Sequence, residues 1–230
     1  MIDFKVLEQK LDIRFTNQKL LVQAFTHRSY LNENPSFGLG HNERLEFLGD
    51  AVLELVVTEY LYERFAEKPE GELTSLRAAL VNAEMLADVG LKLGIGDFLL
   101  LSRGEKKDTG RARGYILANV FEAFVGALYL DQGYETCKQF IAHVLFGRLD
   151  EVIEKKLWRD PKSAFQEEAQ ERVGITPSYR VLKEVGPDHA KRFSVGVYLG
   201  VTLVAEGGGP SKQDAEVEAA EKALMTKGWM

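Results

Sequence analysis

Apolar residues recur at helical spacing throughout the first two-thirds of the chain. Hydrophobic side chains three and four residues apart predict helices over 4–11 and 18–25. A broad apolar stripe predicts a longer helix over 44–65. The same period continues over 73–93, where Gly90 indicates an internal break.

The middle of the chain contains a polar loop followed by its most apolar segment. Residues 102–114 are polar, basic and contain several glycines, which predicts a loop. Residues 115–130 are almost wholly apolar, but they are interrupted by Asn119 and Glu122 and are too few to cross a bilayer with ease. We therefore predict a buried core helix.

The last third of the chain changes from helical to strand periodicity. Asp160 before Pro161 is typical of an N-cap and a first helical position, so a helix is predicted to about residue 173. Segments 178–185, 192–199 and 201–205 have the β-branched and aromatic content of strands.

Glycines and a capping pattern delimit the end of the chain. The run 207–209 followed by Pro210 is predicted to end the strands, and Ser211 with Asp214 predicts a capped final helix. The order α-β-β-β-α indicates an independent second domain. The predicted fold is multidomain, with an all-α domain over 1–157 followed by an α+β domain over 158–230.

Composition and charge narrow the function classes. The chain has 230 residues and a formal net charge of −6, and residues 158–230 hold 10 basic against 11 acidic side chains. A site for a polyanion must therefore be a local patch. Cys137 is the only cysteine and no apolar run approaches the about 18 residues of a membrane span. We expect a cytoplasmic protein in a reducing compartment.

Three carboxylates share one face of the long predicted helix. Glu43, Glu46 and Asp50 lie about one turn apart, and like charges at this spacing destabilise a helix unless something positive compensates. A divalent cation would compensate, because hard Mg²⁺ prefers carboxylate oxygens and water. The spacing alone leaves a solvated acidic face equally open.

Glu122 is the polar residue that most needs an explanation. It lies within the most apolar segment, with Asn119 one turn earlier on the same face. A carboxylate buried there is costly unless it is paired, hydrogen-bonded or bound to metal. Two readings follow from the residues: a metal enclosed between two helices, or a structural salt bridge, for example with Arg44.

These residues belong to motifs that resemble bacterial ribonuclease III, an endonuclease that cuts double-stranded RNA. The strongest is NERLEFLGD at 42–50, and the tail is similar to a double-stranded-RNA-binding domain. The matches run nearly end to end in the family's order. The further matching segments are 24–30, 70–73 with 76–78, 117–131, 161–163, 166–167, 186–189 and 207–220.

The resemblance implies a metal-dependent nuclease site. Glu46, Asp50 and Glu122 match the family's metal-binding acids, with Asp50 and Glu122 assigned as catalytic. Glu43 and Glu70 match acidic residues lining the same valley. The implied cofactor is Mg²⁺, with Mn²⁺ as a substitute and without an organic cofactor. Metal-bound water and a stabilised leaving oxyanion suffice for phosphodiester hydrolysis without a nucleophilic side chain.

The resemblance also implies a homodimer and particular products. Phe47 matches an aromatic residue at the family's subunit interface, and each subunit is expected to supply one acidic site. Products would carry 5′-phosphates and 3′-hydroxyls with short 3′ overhangs. Expected substrates are ribosomal RNA precursors and structured messenger or antisense duplexes. His27 and His41 form no catalytic constellation and are predicted to be structural.

Asn119 departs from the family pattern, which has an acidic residue at this position. An asparagine carbonyl can still bind a hard cation, but it lacks the charge. Asn119 is therefore retained as a metal ligand. Three explanations stay open: a natural variant that cuts, an engineered inactive protein, or a branch that binds RNA without cutting.

The predicted RNA contacts lie in the second domain. Double-stranded RNA is read mainly by shape, through the minor groove and the phosphates. The family usually has another basic residue after Lys212, whereas this chain has Gln213 followed by Asp214, which predicts weaker electrostatic binding. The loop residues Arg103, Lys106, Lys107, Arg111 and Arg113 are either solvated or close to the RNA backbone. The predicted RNA-binding residues are Ser163, Gln166 and Gln170 on the first helix, His189 in a turn, and Ser211 and Lys212 at the last helix.

Overall fold

The computed structural model describes residues 2–107, 110–156, 158–187 and 191–229. The chain forms two compact units, Met1–Trp158 and Arg159–Met230. None of the described helices is long and apolar enough to cross a membrane.

The first unit is helical, as the apolar spacing predicts. Two 22-residue helices, α4 and α7, form its centre, and shorter helices surround them. Short 3₁₀ turns occupy Ile95–Phe98, Glu105–Lys107 and Phe146–Arg148. The helices are α1 (Phe4–Leu11), α2 (Gln18–Ala24), α3 (Arg28–Glu33), α4 (Glu43–Arg64), α5 (Glu70–Val81), α6 (Ala83–Lys92), α7 (Arg111–Gln132), α8 (Tyr134–Leu145) and α9 (Leu149–Glu154).

The crossing of α4 and α7 is unusually close. A Cβ atom added to Gly49 of α4 would lie 1.8 Å from the carbonyl oxygen of Glu122, and one added to Gly126 of α7 would lie 2.1 Å from that of Leu45. Only glycine allows the two backbones to approach in this way. The contact places Glu122 directly against the acidic turns of α4.

An aromatic cluster packs beside this crossing. The ring of Phe124 lies 5.6 Å from Phe15, 6.2 Å from Phe25 and 5.2 Å from Phe140, measured between centroids. Such edge-on and tilted contacts add to the stabilisation gained by burying the rings. The cluster ties the segment between α1 and α2, the C-cap of α2 and helix α8 to the middle of α7.

Two sequence predictions in this unit are wrong in detail. The predicted break near Gly90 lies instead at Asn82, which has extended backbone and accepts a hydrogen bond from the Met85 N–H at 2.9 Å. Gly90 lies within α6, where a Cβ would come 3.0 Å from the side chain of Ile95. The predicted loop over 102–114 ends early, since α7 begins at Arg111.

The second unit has the predicted α-β-β-β-α order. Helix α10 (Pro161–Val173) begins at Asp160, whose side chain accepts from the Ser163 N–H at 2.9 Å, as predicted. An antiparallel sheet in the order β1-β2-β3 follows, and helix α11 (Lys212–Lys227) closes the unit. The strands are β1 (Ser178–Val185), β2 (Arg192–Leu199) and β3 (Thr202–Gly209).

The third strand is longer than predicted. The glycine run 207–209 forms the last three residues of β3, and the strand ends at Gly209, before Pro210. A Cβ at Gly207 would lie 2.2 Å from the backbone nitrogen of Ala219, so α11 can pack on the strand only because side chains are absent there. The helix in turn buries alanines against the sheet, at Ala215, Ala219, Ala220 and Ala223.

Candidate active site

The start of α4 is anchored by Asn42, the residue directly before the acidic side chains of this helix. Asn42 is buried, its backbone N–H donates to the carbonyl of Thr26 at 2.9 Å, and its side-chain amide donates to that of Ala24 at 3.2 Å. These bonds hold the start of α4 against the end of α2. Sequence reasoning took Asn42 only as part of a motif and missed this anchoring role.

Glu46, Asp50 and Glu122 form one electrostatic cluster. Glu122 is half-buried, and burial together with the carboxylates of Asp50 and Glu46 raises its pKa to about 7. Burial also raises the pKa of Glu46, with further contributions from Glu43 and Asp50. Mutual destabilisation of ionised carboxylates is typical of sites that bind cations or protons.

The structural salt bridge considered for Glu122 is not formed. No ion pair within the described parts of the chain includes Glu122, and Arg44 does not supply one. Among the described residues, the half-buried carboxylate therefore has two negative neighbours and no cationic partner. The chemistry of these donors fits a hard divalent cation.

The donors are not already arranged as a complete metal shell. Over the described residues, no group of three or more His, Cys, Asp or Glu side chains is placed to hold a metal ion. Asn119 is half-buried on α7, one turn before Glu122, and adds an amide oxygen to the set. Mg²⁺ retains several waters when it binds proteins, so a partial protein shell suffices for it.

Glu43 lies next to the acidic cluster, whereas Glu70 lies at the start of α5. Glu43 is exposed, 3.7 Å from Arg28 and 3.8 Å from His41, next to the cluster. Glu70 begins α5, where it accepts a hydrogen bond from the Thr74 hydroxyl at 2.8 Å. Glu70 is not among the residues that shift the pKa of Glu46 or Glu122, so within the described chain it is not part of their electrostatic cluster.

The two histidines make local contacts. His27 is the N-cap of α3, and its Nδ1 lies 2.8 Å from the Ser29 hydroxyl. Burial lowers the pKa of His27, which favours the neutral ring. His41 faces Glu43, as described above. Neither contact arranges a nucleophile and a base for catalysis.

Phe47 projects from the opposite side of α4 from the core. Its side chain is 81 % exposed, and Leu55 and Tyr62 are exposed farther along the same helix. A shallow apolar pocket opens beside them, lined by Leu48, Ala51, Val52, Leu55, Tyr129 and Tyr134. Exposed apolar side chains grouped in this way are typical of a protein–protein interface.

The first helix of the second unit exposes the predicted minor-groove residues. Ser163, Gln166 and Gln170 are exposed on one side of α10. Ser163 donates its hydroxyl to Asp160 at 2.8 Å, and Gln170 accepts from Thr176 at 3.3 Å. His189 lies outside the described residues.

The start of α11 differs from the simple prediction for Lys212. Ser211 caps the helix by accepting from the Asp214 N–H at 3.1 Å. Lys212 does not extend freely, because its Nζ lies 3.3 Å from a carboxylate oxygen of Glu184. The sequence does not indicate a role for Glu184, because this residue of β1 comes close to Lys212 only when α11 packs beside the folded sheet.

One basic residue of the predicted loop in the first unit makes a hydrogen bond within the fold, and three others are exposed. Arg113 donates to the carbonyl of Gly96 at 3.1 Å, whereas Arg103, Lys106 and Lys107 have exposed side chains. The side chain of Arg111 lies outside the described part of the structure. Three of the five predicted basic residues are therefore available to solvent or RNA.

Comparison with known proteins identifies both units. Residues 17–149 match the family model described as Ribonuclease-III-like, and residues 161–226 match the double-stranded RNA binding motif. Ribonuclease 3 of a Geobacillus species is 47 % identical over 223 residues, covering 96 % of this chain and 90 % of the relative. Ribonuclease 3 of Desulforamulus reducens is 44 % identical over 219 residues, covering 95 % and 89 %.

A solved structure agrees for the first unit. The nuclease domain of ribonuclease III from Campylobacter jejuni is 42 % identical and covers 62 % of this chain and 95 % of its own, with a TM-score of 0.56. Its description refers to flexibility in a region involved in dimer formation. The chain therefore belongs to the ribonuclease III family of double-stranded RNA endonucleases.

Proposed function

We propose that this endonuclease hydrolyses duplex RNA with Mg²⁺ held by Glu46, Asp50, Asn119 and Glu122, with Mn²⁺ as a substitute. The observation that carries the proposal is Glu122, a half-buried carboxylate beside Asp50 and Glu46 that has no cationic partner in the part of the chain that the structure describes. When bound, the metal supplies an activated water and stabilises the leaving oxyanion. The products would carry 5′-phosphate and 3′-hydroxyl ends.

The residues of the cluster divide this work. Asp50 and Glu122 face each other across the α4–α7 crossing and act as the catalytic carboxylates. Glu46 adds a third negative charge, and Asn119 adds a neutral oxygen. Glu43 is held by Arg28 and contributes to the negative field around Glu46. The cluster thus has one charge fewer than the family pattern.

A second candidate function is duplex binding without cutting. Asn119 carries no charge, and the described acidic side chains do not form a ready metal shell. Both observations favour weaker metal binding than an aspartate at position 119 would give. The second unit would still bind RNA in that case.

One cleavage experiment separates the two functions. We expect the native chain to cut a long RNA duplex in Mg²⁺, to leave single-stranded RNA intact, and to stop when the metal is chelated. Asn119→Asp should lower the Mg²⁺ concentration needed for half-maximal cleavage, because a carboxylate binds the cation more strongly than an amide. If only Asn119→Asp cuts, the native chain is a duplex-binding protein.

The expected dimer would place one acidic cluster near each strand of the duplex. We propose that the exposed side chains of Phe47, Leu55 and Tyr62 form its interface and that Glu70 lines the shared valley from the other subunit. The cellular substrates proposed for the dimer are ribosomal RNA precursors and structured messenger or antisense RNA.

Phe47→Ala should weaken the dimer by at least about tenfold, as expected for a large aromatic residue at the centre of an interface. Sedimentation velocity across a concentration series measures this change. The fold should be unaffected, because the side chain is 81 % exposed in one chain. Leu91→Ala on α6 is the matched control, since Leu91 is also an exposed apolar residue, at 67 %. Equal dimer affinity in Phe47→Ala would rule out this interface.

A further inference from the structure

Four residues meet at one end of the sheet in the second unit. Glu184 of β1 and Phe193 of β2 are cross-strand partners. Lys212, the first residue of α11, lies over this pair: its Nζ is 3.3 Å from Glu184 Oε1 and 5.6 Å from the centroid of the Phe193 ring. Lys191 approaches the other oxygen of Glu184, with its Nζ 3.9 Å from Oε2.

The arrangement holds Lys212 against the protein. A lysine at the start of a helix normally extends into solvent, where it adds to the positive end of the helix dipole. Here the ammonium is folded back over an aromatic ring and neutralised by a carboxylate. Glu184 therefore makes the same kind of contact with Lys212 that an RNA phosphate would make.

The contact is exposed enough to be exchanged. The side chain of Lys212 is 58 % exposed and that of Glu184 is 41 % exposed. Ion pairs with this much access to water are weak and open readily. A polyanion that approaches the start of α11 therefore competes with Glu184 for a cation within its reach.

We propose that Glu184 occupies the phosphate position of Lys212 in the free protein and thereby sets the strength of duplex binding. RNA binding then exchanges a carboxylate for a phosphate at the Lys212 ammonium. This inference rests on the predicted RNA contact of Lys212, taken here as a contact with a phosphate, and adds to it a residue that limits affinity. Glu184 acts through Lys212 and is a positioning residue, not a phosphate ligand.

The exchange at Lys212 matters because the basic and acidic side chains of the second unit nearly balance. Residues 158–230 hold 10 basic and 11 acidic side chains, so the unit has no excess of positive charge to hold RNA non-specifically. Each cation that faces the phosphates then contributes a large share of the electrostatic attraction. Neutralising one of them in the free protein lowers affinity for every polyanion.

The test measures RNA binding by the full chain without divalent metal, so that no cleavage occurs. The probe is a blunt RNA duplex longer than the about 16 base pairs that one such domain spans. Four proteins form a double-mutant cycle: the native chain, Glu184→Gln, Lys212→Gln and the double variant. Glu221→Gln is the matched control. Glu221 is an exposed glutamate on α11, so this substitution removes the same charge at a different place on the second unit.

Glu184→Gln should bind the duplex about threefold more tightly near physiological salt, the effect of removing one unit charge close to a phosphate in water. Its affinity should also fall more steeply with salt, by up to about 0.9 in the logarithmic slope. Most of the gain should vanish when Lys212 is already glutamine. Glu221→Gln should bind as the native chain does.

Each other outcome has a defined meaning. Unchanged or weaker binding by Glu184→Gln overturns the inference, and so does an equal gain in both Lys212 backgrounds or in Glu221→Gln, which would indicate simple charge repulsion. If Lys212→Gln binds as tightly as the native chain, the proposed phosphate contact of Lys212 fails and the inference fails with it. If Lys212→Gln weakens binding while Glu184→Gln does nothing, only the inference fails.

Discussion

Replacing Glu122 with glutamine stops cleavage of duplex RNA and makes the metal-free protein more stable at pH 8. The side chain keeps its size, but the site loses the carboxylate that couples α7 to the acids of α4. We expect the cleavage rate to fall by more than about a hundredfold, beyond the 10- to 100-fold typical of losing an outer partner of a metal ligand. Duplex binding should be unchanged.

The gain in stability follows from the raised pKa of Glu122. Its pKa is 4.5 in the unfolded chain and about 7 in the folded one, so between these values the folded state holds a proton that the unfolded state has lost. The stability from this group is full below pH 4.5 and is lost as the pH rises through 7. At pH 8 the native protein therefore carries an unfavourable charge that glutamine lacks.

Chemical denaturation at two pH values checks this prediction. Glu122→Gln should exceed the native free energy of unfolding by about 1 kcal/mol at pH 8, a value reduced from the full pKa shift because the group is only half-buried. The difference should nearly vanish at about pH 5. Glu154→Gln, an exposed glutamate at the end of α9, is the matched control. A Glu122→Gln protein that cuts RNA at the native rate would remove Glu122 from the site.

Gly49→Ala should unfold the first unit or destabilise it by about 3 kcal/mol or more, at the upper end of what overpacked cores show. The new methyl group would lie 1.8 Å from the Glu122 carbonyl oxygen and 2.8 Å from the backbone nitrogen of Gly126. Backbone atoms within helices cannot turn aside as a side chain can. The two central helices must then separate, and the packing around them loosens.

Thermal unfolding of the first unit measures this effect. Gly114→Ala is the matched control, because it places the same methyl group on α7 where no atom lies within 4 Å. That variant should be neutral or gain up to about 1 kcal/mol, since alanine is the better helix former. If Gly49→Ala unfolds at the native temperature, the close crossing is not what holds α4 and α7 together.

Much of the fold could be predicted because most helices and strands bury one face. The period of apolar residues predicts α4 and α7, and local capping residues predict the starts of α10 and α11. The errors arose where a distant contact decides. Gly90 lies within α6 close to the carbonyl oxygen of Leu117 on α7, and the glycines of β3 lie where α11 packs against the strand. A local pattern contains neither contact.

The acidic cluster could be predicted only in part for the same reason. Helical spacing brings Glu46 and Asp50 together, and the apolar surroundings of Glu122 indicate a special role. Glu122 lies beside Glu46 and Asp50 only because α4 and α7 cross, and the spacing of residues along the chain does not predict that crossing. The contact between Glu184 and Lys212 depends on sheet register and on the packing of α11, and no local signal indicates it.

The glycine contact between α4 and α7 has a consequence for how such a chain diverges. In the roles proposed here, Gly49 and Gly126 serve folding whether or not the site cuts RNA, whereas Glu46, Asp50 and Glu122 serve only the chemistry. A descendant that loses catalysis is therefore free to exchange its acids one by one but must retain both glycines. Among distant relatives, the glycine pair without the acids would mark lineages that kept the architecture after abandoning the reaction.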